Sequence, residues 1–313
     1  MELCLMIEGQ EGVTWEHWLG LARTCEEHGV PSMFRSDHYM NLDGLDPSRV
    51  SLDAWATINA LAAVTSTLRL GTMVSPTSFR HPSVLAKMVA SADQVSGGRI
   101  DLGLGAGWHE GEHSAYGFPF LPVKERVDVL EEQLQIVLGG WAEGPFSFDG
   151  DHYTLKDLDA QPKPVQRPHP PLIMGGNAAA RSARLAARYA DEYNTPFPTI
   201  ADVKERKRRI DDACEHAGRE PIPFSVMTGF VVGATEPEYQ DRMRARAKKM
   251  GADADELLAD PPEPWIAGTL DQATEQLAAL SDAGVSRVMC QHYVHDDLEA
   301  VALLGSELAP RVS

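Results

Sequence analysis

The chain has 313 residues, enough for one large α/β domain or two ordinary ones. Its 46 acidic and 28 basic residues give a formal charge of -18, which disfavours nucleic acid and anionic membranes as partners. Hydrophobic residues make up 43%, no apolar run is long enough to cross a bilayer, and the four cysteines lie far apart. These features predict a cytoplasmic protein with reduced core thiols and without a secretion signal or a zinc framework.

The first third of the chain alternates short apolar runs with amphipathic segments. Thr14 is a suitable N-cap, Gly29 a suitable helix end, and Pro82 a suitable first helical residue. Strands are predicted over residues 3–7, 32–35, 68–74 and 100–104. Helices are predicted over residues 14–28, 53–64, 82–96 and 123–138.

The alternation is interrupted once and then resumes. Residues 140–171 combine Gly, Pro and aromatic residues with two short alternating runs, which predict a hairpin insertion turning at Asp149-Gly150. The acidic, Pro-rich residues 251–266 are predicted to be an irregular excursion. Further strands are predicted over residues 172–174, 192–195, 224–232 and 287–290. Further helices are predicted over residues 178–189, 202–217, 235–250, 269–283 and 298–308.

Eight strands, each followed by a helix, predict an α/β fold of the (β/α)8 barrel type. Residues 1–313 would form a single barrel domain, with the hairpin inserted after helix 4. A doubly wound open sheet is the alternative fold. In a barrel, the carboxyl ends of the strands share one rim, where the active site lies. The prediction therefore brings together residues far apart in the sequence, namely His38, Ser75, Trp108, His109 and Gly176.

The segment that follows the fourth strand is the densest set of candidate functional groups. Residues 100–113 read I-D-L-G-L-G-A-G-W-H-E-G-E-H, in which glycines permit a close approach of the backbone to a ligand. The glycine spacing is too short for a dinucleotide loop. His109 and His113 match the H-E-x-x-H zinc motif, which leaves a zinc hydrolase as a remote alternative. The nearby glycines weaken the helix that this motif needs, so we expect no metal here.

Two other strand ends carry candidate chemistry. His38 follows the second strand, where an imidazole can exchange a proton near neutral pH and the adjacent Asp37 can orient it. The alternative is a capping Asp beside a solvated His. Gly175-Gly176-Asn177 lies between a strand and a helix, so its backbone N–H groups and the helix N-terminus form a candidate anion site, to which Arg181 adds positive charge. The alternative here is an ordinary loop with Asn177 as N-cap.

Taken together, these motifs resemble the luciferase-like monooxygenase superfamily, and within it the coenzyme F420-dependent oxidoreductases. The resemblance covers essentially the whole chain. Its markers are S-D-H-Y at 36–39, L-G-T-M-V-S-P at 70–76, F-R-H-P at 79–82, G-G-R-I at 97–100, L-G-L-G-A-G-W-H-E-G-E-H at 102–113 and L-I-M-G-G-N at 172–177. The resemblance implies a (β/α)8 barrel with a deazaflavin or flavin across the strand ends. It also implies a non-prolyl cis peptide within Met73-Val74-Ser75.

The resemblance implies an F420-dependent oxidoreductase that transfers a hydride between the deazaflavin and a small organic substrate. His38, next to Asp37, would lie near the reactive carbon of the ring. The residues expected to bind the cofactor are Met73, Val74, Ser75, Gly105, Ala106, Gly107, Trp108, His109, Gly175, Gly176, Asn177 and Arg181. The alternatives are an FMN-dependent monooxygenase and a non-catalytic flavin-binding barrel. We also expect a homodimer.

One departure from the family pattern bears on the substrate. The sugar-phosphate dehydrogenases of the family have a glutamate directly after the glycine-rich strand end, where this chain has Trp108. Nearby aromatic residues add to the apolar character of this segment. They are Tyr39, Tyr116, Phe118 and Phe120. A fairly apolar substrate is therefore expected.

Overall fold

Eight parallel strands form a closed barrel in the computed structural model, which describes residues 1–42 and 49–312. The barrel strands are β1 (Glu2–Ile7), β2 (Ser32–Arg35), β3 (Arg69–Thr72), β5 (Ile100–Gly105), β8 (Leu172–Gly175), β9 (Glu192–Pro196), β10 (Phe224–Gly233) and β12 (Arg287–Gln291). Other described strands are β4 (Ser75–Pro76), β6 (Phe146–Asp149), β7 (Thr154–Leu158) and β11 (Ile266–Thr269). Because β1 pairs with both β2 and β12, the ring closes. The barrel prediction is confirmed, and the open-sheet alternative is wrong.

Helices surround the barrel. They are α1 (Trp15–His28), α2 (Ala54–Val64), α3 (Pro82–Ser96), α4 (Glu110–Tyr116), α5 (Val123–Trp141), α6 (Ala180–Tyr189), α7 (Ile200–His216), α8 (Glu236–Met250), α9 (Ala254–Ala259), α10 (Leu270–Asp282), α11 (Leu298–Leu303) and α12 (Ala309–Val312). A π-helical segment, Leu304–Leu308, joins the last two. Thr14 caps α1 and Gly29 ends it with a φ of 77°, as predicted. Among the described helices, none is long and apolar enough to span a membrane.

The alternation of side chains along each strand divides the core into two layers. In β1, Leu3, Leu5 and Ile7 belong to the large layer between the strands and the helices. Cys4 and Met6 belong to a smaller cluster with residues of the neighbouring strands. That cluster also contains Phe34, Met73, Ile173 and Met289. The barrel interior is thus filled with side chains, as expected for a (β/α)8 barrel.

The predicted hairpin is confirmed as the antiparallel pair β6 and β7, which follows α5. Its turn is closed by a hydrogen bond from the Gly150 N–H to the Tyr153 carbonyl, 2.9 Å. Glu132 of α5 accepts hydrogen bonds from the backbone N–H groups of Asp151, His152 and Tyr153, at 2.7, 3.1 and 3.0 Å. The turn is therefore attached to the barrel through one carboxylate.

Two local predictions are wrong. The third strand does not run through residue 74, because β3 ends at Thr72 and the chain resumes as β4, paired with β5. Residues 251–266 are not irregular throughout, since they contain α9, which the Asp253 side chain caps. The same range ends in β11, which pairs with the carboxyl-terminal half of β10. Both elements are short, so their apolar periodicity is weak in the sequence.

Candidate active site

A cavity of about 580 Å³ opens at the carboxyl ends of the barrel strands. Its volume lies in the range usual for small-molecule and cofactor sites. Much of its wall is apolar, formed by Leu42, Met73, Val74, Pro76, Phe79, Trp108, Phe197 and Met227. The polar groups on the wall include Glu8, Ser36, His38, Asn177, Asn194, Gln291 and Tyr293.

Most of the residues predicted to bind a cofactor line this cavity. They are Met73, Val74, Gly105, Ala106, Gly107, Trp108, His109, Gly175, Gly176 and Asn177. Ser75 is not on the wall, because its buried hydroxyl donates to Asp37 at 2.6 Å. Arg181 is not there either, because it pairs with Asp128 and Glu131 of α5 at 2.5 and 3.0 Å. The Arg181 guanidinium, predicted to bind an anionic ligand, is therefore bound to the acidic face of α5.

The peptide bond between Met73 and Val74 is cis, as the resemblance implies. The Val74 side chain points toward three glycines of the neighbouring strands. A Cβ atom at Gly103, Gly105 or Gly175 would lie 3.1, 2.7 or 3.3 Å from a Val74 methyl carbon. These glycines therefore make room for Val74, whereas the sequence suggested that they make room for a ligand.

His38 is hydrogen-bonded to Glu112, a residue of α4. The His38 Nδ1 lies 2.8 Å from Glu112 Oε2, and the Glu112 side chain is fully buried. The other carboxylate oxygen accepts hydrogen bonds from the backbone N–H groups of Tyr39 and Met40. Because a carboxylate only accepts, Nδ1 is the protonated nitrogen, and Nε2 makes no hydrogen bond to the described residues. His38 therefore presents a free nitrogen on a wall of the cavity.

The His38–Glu112 contact changes the acidity of both groups. Burial alone would lower the pKa of His38, but the hydrogen bond and charge of Glu112, aided by the charges of Glu8 and Asp37, raise it overall. Burial alone would raise the pKa of Glu112, but the His38 hydrogen bond and the backbone donors lower it overall. The His38 imidazole therefore stays protonated at pH values at which an ordinary histidine has lost its proton.

Asp37 does not orient His38, contrary to the prediction. Its buried carboxylate binds Arg80, at 2.5 Å to Nη1 and 3.2 Å to Nη2. Arg80 Nη2 also contacts Asp53 at 2.8 Å and the Tyr39 hydroxyl at 3.1 Å. Asp37 thus belongs to a buried ionic network behind the wall. Its effect on His38 is limited to the charge contribution that helps to raise the His38 pKa.

The H-E-G-E-H run forms a short helix, α4, although the nearby glycines were expected to weaken one. Both histidines are nevertheless bound within the protein. His109 Nδ1 accepts from the Glu112 N–H, while Nε2 donates to the Leu42 carbonyl at 2.9 Å. His113 Nδ1 donates to the His109 carbonyl, while Nε2 accepts from Ser78 at 2.6 Å. No lone pair is left on either ring for zinc, and residues 1–42 and 49–312 hold no candidate metal cluster.

The glycine pair after β8 leads into the N-terminus of α6. Gly176 has a φ of +143°, and its N–H donates to the Asn194 carbonyl. The helix begins at Ala180 with Ala179 as its cap, so Asn177 is not the N-cap. No side chain caps this end. The first backbone N–H groups of α6 therefore lack intrahelical acceptors and are available to an anion.

Several cavity residues were not singled out in the sequence as site residues. Glu8 follows β1, Asn194 lies in β9, and Gln291 ends β12. Their position at strand ends is the available signal, since the carboxyl ends of the strands form the predicted rim. Glu112 appears in the sequence only as part of the H-E-G-E-H run, and no local pattern links it to His38, which lies 74 residues away.

Most of the aromatic residues predicted near the substrate pack against one another outside the cavity. Tyr39, Tyr116 and Phe118 stack on one another and on Phe79, with ring centroids 4.8 to 5.9 Å apart. Of the five aromatic residues named in the prediction, only Trp108 lines the cavity. The apolar part of the cavity wall is formed instead by other residues, including Phe79, Phe197 and Met227.

Comparison with known proteins agrees with this architecture. Residues 4–287 match the family model described as luciferase-like monooxygenase. The FMNH2-dependent dimethylsulfone monooxygenase of Pseudomonas putida is 29% identical over 286 residues, which cover 81% of this chain and 77% of that protein. The F420-dependent glucose-6-phosphate dehydrogenase of Microbacterium testaceum is 26% identical over 314 residues, covering 92% and 90%. The solved structure of monooxygenase RslO1 from Streptomyces bottropensis has the same fold, with a TM-score of 0.85 over 100% of both chains at 21% identity.

Proposed function

We propose that this chain, which belongs to the luciferase-like monooxygenase family and is an oxidoreductase, uses coenzyme F420 to transfer a hydride to or from a small organic substrate. The observation that carries the proposal is the His38–Glu112 pair on the wall of the cavity, 2.8 Å between Nδ1 and Oε2. A histidine held in one tautomer and exposed to the cavity through Nε2 is suited to proton transfer.

The cavity fits a flat ring with a phosphorylated tail. Its volume and apolar wall suit a flavin-type ring, and Val74 would lie against that ring. The uncapped N-terminus of α6, next to Gly175 and Gly176, would hold a phosphate through backbone N–H groups. Both F420 and FMN contain a flat ring and a phosphate. These features therefore support a flavin-type cofactor, and the preference for F420 over FMN rests on the sequence motifs.

When bound, the cofactor supplies hydride chemistry, and the protein supplies orientation, shielding and the proton. His38 would hold or release a proton at Nε2, next to the substrate. Glu112 would keep the imidazolium stable until transfer. The apolar residues of the wall would exclude water and limit competing reactions.

A parallel titration of the purified apoprotein with F420 and FMN, followed by fluorescence, tests the proposal. We expect saturable binding of F420 with the higher affinity, because the sequence motifs resemble those of the F420-dependent branch. Stoichiometric FMN in the purified protein, with no F420 binding, would contradict this choice.

An FMN-dependent monooxygenase is the second candidate. It is supported by the Pseudomonas putida relative, whose name states that it depends on FMNH2. Oxygen consumption driven by reduced FMN would favour this candidate over the first. Binding of either cofactor without any turnover across a panel of acceptors would instead indicate a non-catalytic flavin-binding barrel.

A further inference from the structure

The cavity wall has an unusual balance of charge. No lysine or arginine lines the cavity within residues 1–42 and 49–312, and residues 43–48 contain neither residue type. Two glutamates line it, Glu8 and Glu112. Glu112 is already bound to His38 and to two backbone N–H groups. Glu8 is therefore the carboxylate on this wall that is open to a ligand.

Glu8 is held in place by neutral groups. Gln10 Nε2 donates to its Oε2 at 2.9 Å, and Gln291 Nε2 donates to its Oε1 at 2.7 Å. Among the described residues, no cationic side chain forms an ion pair with Glu8. Each carboxylate oxygen can accept two hydrogen bonds, so each retains capacity for a donor in the cavity. The negative charge of Glu8 is thus fixed by neutral donors, and the buried guanidinium groups of Arg35 and Arg246 act on it without a direct ion pair.

Arg246 fixes the orientation of the Gln291 side chain. Arg246 donates to the Gln291 carbonyl at 3.2 Å and to its Oε1 at 3.4 Å. The Arg246 guanidinium itself lies between the rings of Trp265 and Tyr293, 4.1 and 4.6 Å from their centroids. Because Oε1 faces Arg246, the amide Nε2 must face Glu8. The buried arginine therefore positions the carboxylate through one glutamine.

We propose that Glu8 selects the substrate by charge. The cavity takes an uncharged or cationic molecule with a hydroxyl or amino group that donates to Glu8, and it rejects carboxylates, sulfonates and phosphates. An anion bound there would be desolvated near the fixed negative charge of Glu8, and the positive charge of a protonated His38 is already offset by Glu112 at 2.8 Å, so its binding is unfavourable. This inference rests on the proposed function, since it names the substrate class of the same site. The phosphate of the cofactor would lie elsewhere, at the N-terminus of α6.

Three probes of similar size test the charge selection: benzyl alcohol, benzylamine and benzoate. Their binding would be measured by saturation-transfer NMR on the protein saturated with whichever of F420 or FMN it binds. We expect benzoate to bind at least about tenfold more weakly than benzyl alcohol, with benzylamine the tightest. Equal binding of benzoate and benzyl alcohol would overturn the proposal without any variant.

Glu8→Gln tests the residue itself. This change removes the charge at nearly constant size, so the ratio of benzylamine to benzoate affinity should fall by about tenfold. Glu11→Gln is the matched control, because Glu11 lies in the same loop but pairs with Arg49 at 2.5 Å and does not line the cavity. An unchanged ratio in Glu8→Gln, with a native circular dichroism spectrum, would contradict the role of Glu8. If the variant does not fold, the wild-type probe series still decides whether anions are rejected.

The cofactor titration separates this inference from the proposed function. If neither F420 nor FMN binds, the proposed function fails, and the probe series is then measured on the apoprotein. If the cofactor binds and benzoate is accepted as well as benzyl alcohol, the charge selection fails while the oxidoreductase proposal stands.

Discussion

The cavity has two walls that are built in different ways. The side-chain wall, made of His38, Val74 and Glu112, depends on hydrogen bonds and packing between side chains from the loop after β2, the β3–β4 connection and α4. The backbone wall, made of residues 175–177 and the start of α6, presents mainly main-chain groups. Proton transfer needs a group with an adjusted pKa, whereas phosphate binding needs several N–H donors. Changes to the first wall should therefore lower turnover, and changes to the second should lower cofactor affinity.

The largest effect is expected from His38→Ala. Removal of the imidazole takes away the proton donor or acceptor, so turnover should fall by roughly 10²–10⁴. Cofactor affinity should change little, because the phosphate is assigned to the backbone wall. Single-turnover rates and cofactor titrations measure the two effects separately, with His152→Ala in the exposed hairpin turn as the control. A variant that binds cofactor poorly but reacts at the normal rate when saturated would make His38 a binding residue.

Glu112→Gln should have the next largest effect. The backbone donors of Tyr39 and Met40 hold one oxygen, so the new amide NH2 would face His38 Nδ1. Two donors cannot face each other, and the neutral ring would move its proton to Nε2. Turnover should fall on the order of 10²-fold at neutral pH, as expected for the wrong tautomer of a proton-transfer group.

The same variant should change the pH dependence. In the wild type, Glu112 raises the pKa of His38 above its ordinary value of 6.5, so the limb of the pH–rate profile should lie above that value. The stability that His38 contributes is fully present below its unfolded pKa and is lost as pH rises through its folded pKa. The stability that Glu112 contributes is present above its unfolded pKa and is lost as pH falls through its lowered folded pKa. Glu112→Gln should move the limb to lower pH. Asp37→Asn is the control, since Asp37 binds Arg80 and should shift the limb less.

A smaller effect is expected from Gly176→Val on the backbone wall. The φ of +143° is strained for any residue with a Cβ, and that Cβ would lie 3.2 Å from the Tyr193 hydroxyl. Cofactor affinity should fall by about tenfold, because the isopropyl group would block close approach of the phosphate to this backbone. Gly218→Val is the control, because Gly218 has a φ of +66° in an exposed turn with no atom near its Cβ position. Equal affinity losses in both variants would indicate general destabilisation.

The smallest effect is expected from Arg181→Ala. Arg181 binds Asp128 and Glu131 on α5, and a half-exposed pair of this kind contributes about 0–1 kcal/mol. Cofactor affinity should remain within about twofold of the wild type, because the Arg181 guanidinium is bound to α5 and does not line the cavity. A tenfold loss, measured by the same fluorescence titration, would return Arg181 to the anion site and would weaken the division between the two walls.

The sequence predicts the barrel well because its evidence is local and repeated. Each barrel strand is a short apolar run and most long helices show periodicity or a cap, so eight units suffice to identify the architecture. Short elements such as α9 and β11 lack that repetition and were missed. The hairpin was found because its alternating runs flank a Gly turn.

The site is predicted less completely, because its contacts are long-range. Whether Asp37 or Glu112 is the partner of His38 depends on the position of α4 in the folded protein. No local sequence pattern predicts that position. Arg181 was assigned to a ligand because its neighbours on α5 lie 50 to 53 residues earlier in the chain. The resemblance, which uses the whole chain, correctly implied the cis peptide at Met73–Val74. The cytoplasmic location and the homodimer stay predictions.

The packing of Val74 against glycines has a practical consequence for engineering. A Cβ at Gly105 would lie 2.7 Å from a Val74 methyl, and one at Gly103 would lie 2.1 Å from the Thr72 carbonyl. These positions form a set in which no member can grow alone, so random libraries that include them should consist mostly of misfolded clones. Leu42, Phe197 and Met227 line the cavity outside that set. Saturation mutagenesis intended to widen the substrate range is therefore best confined to these three positions.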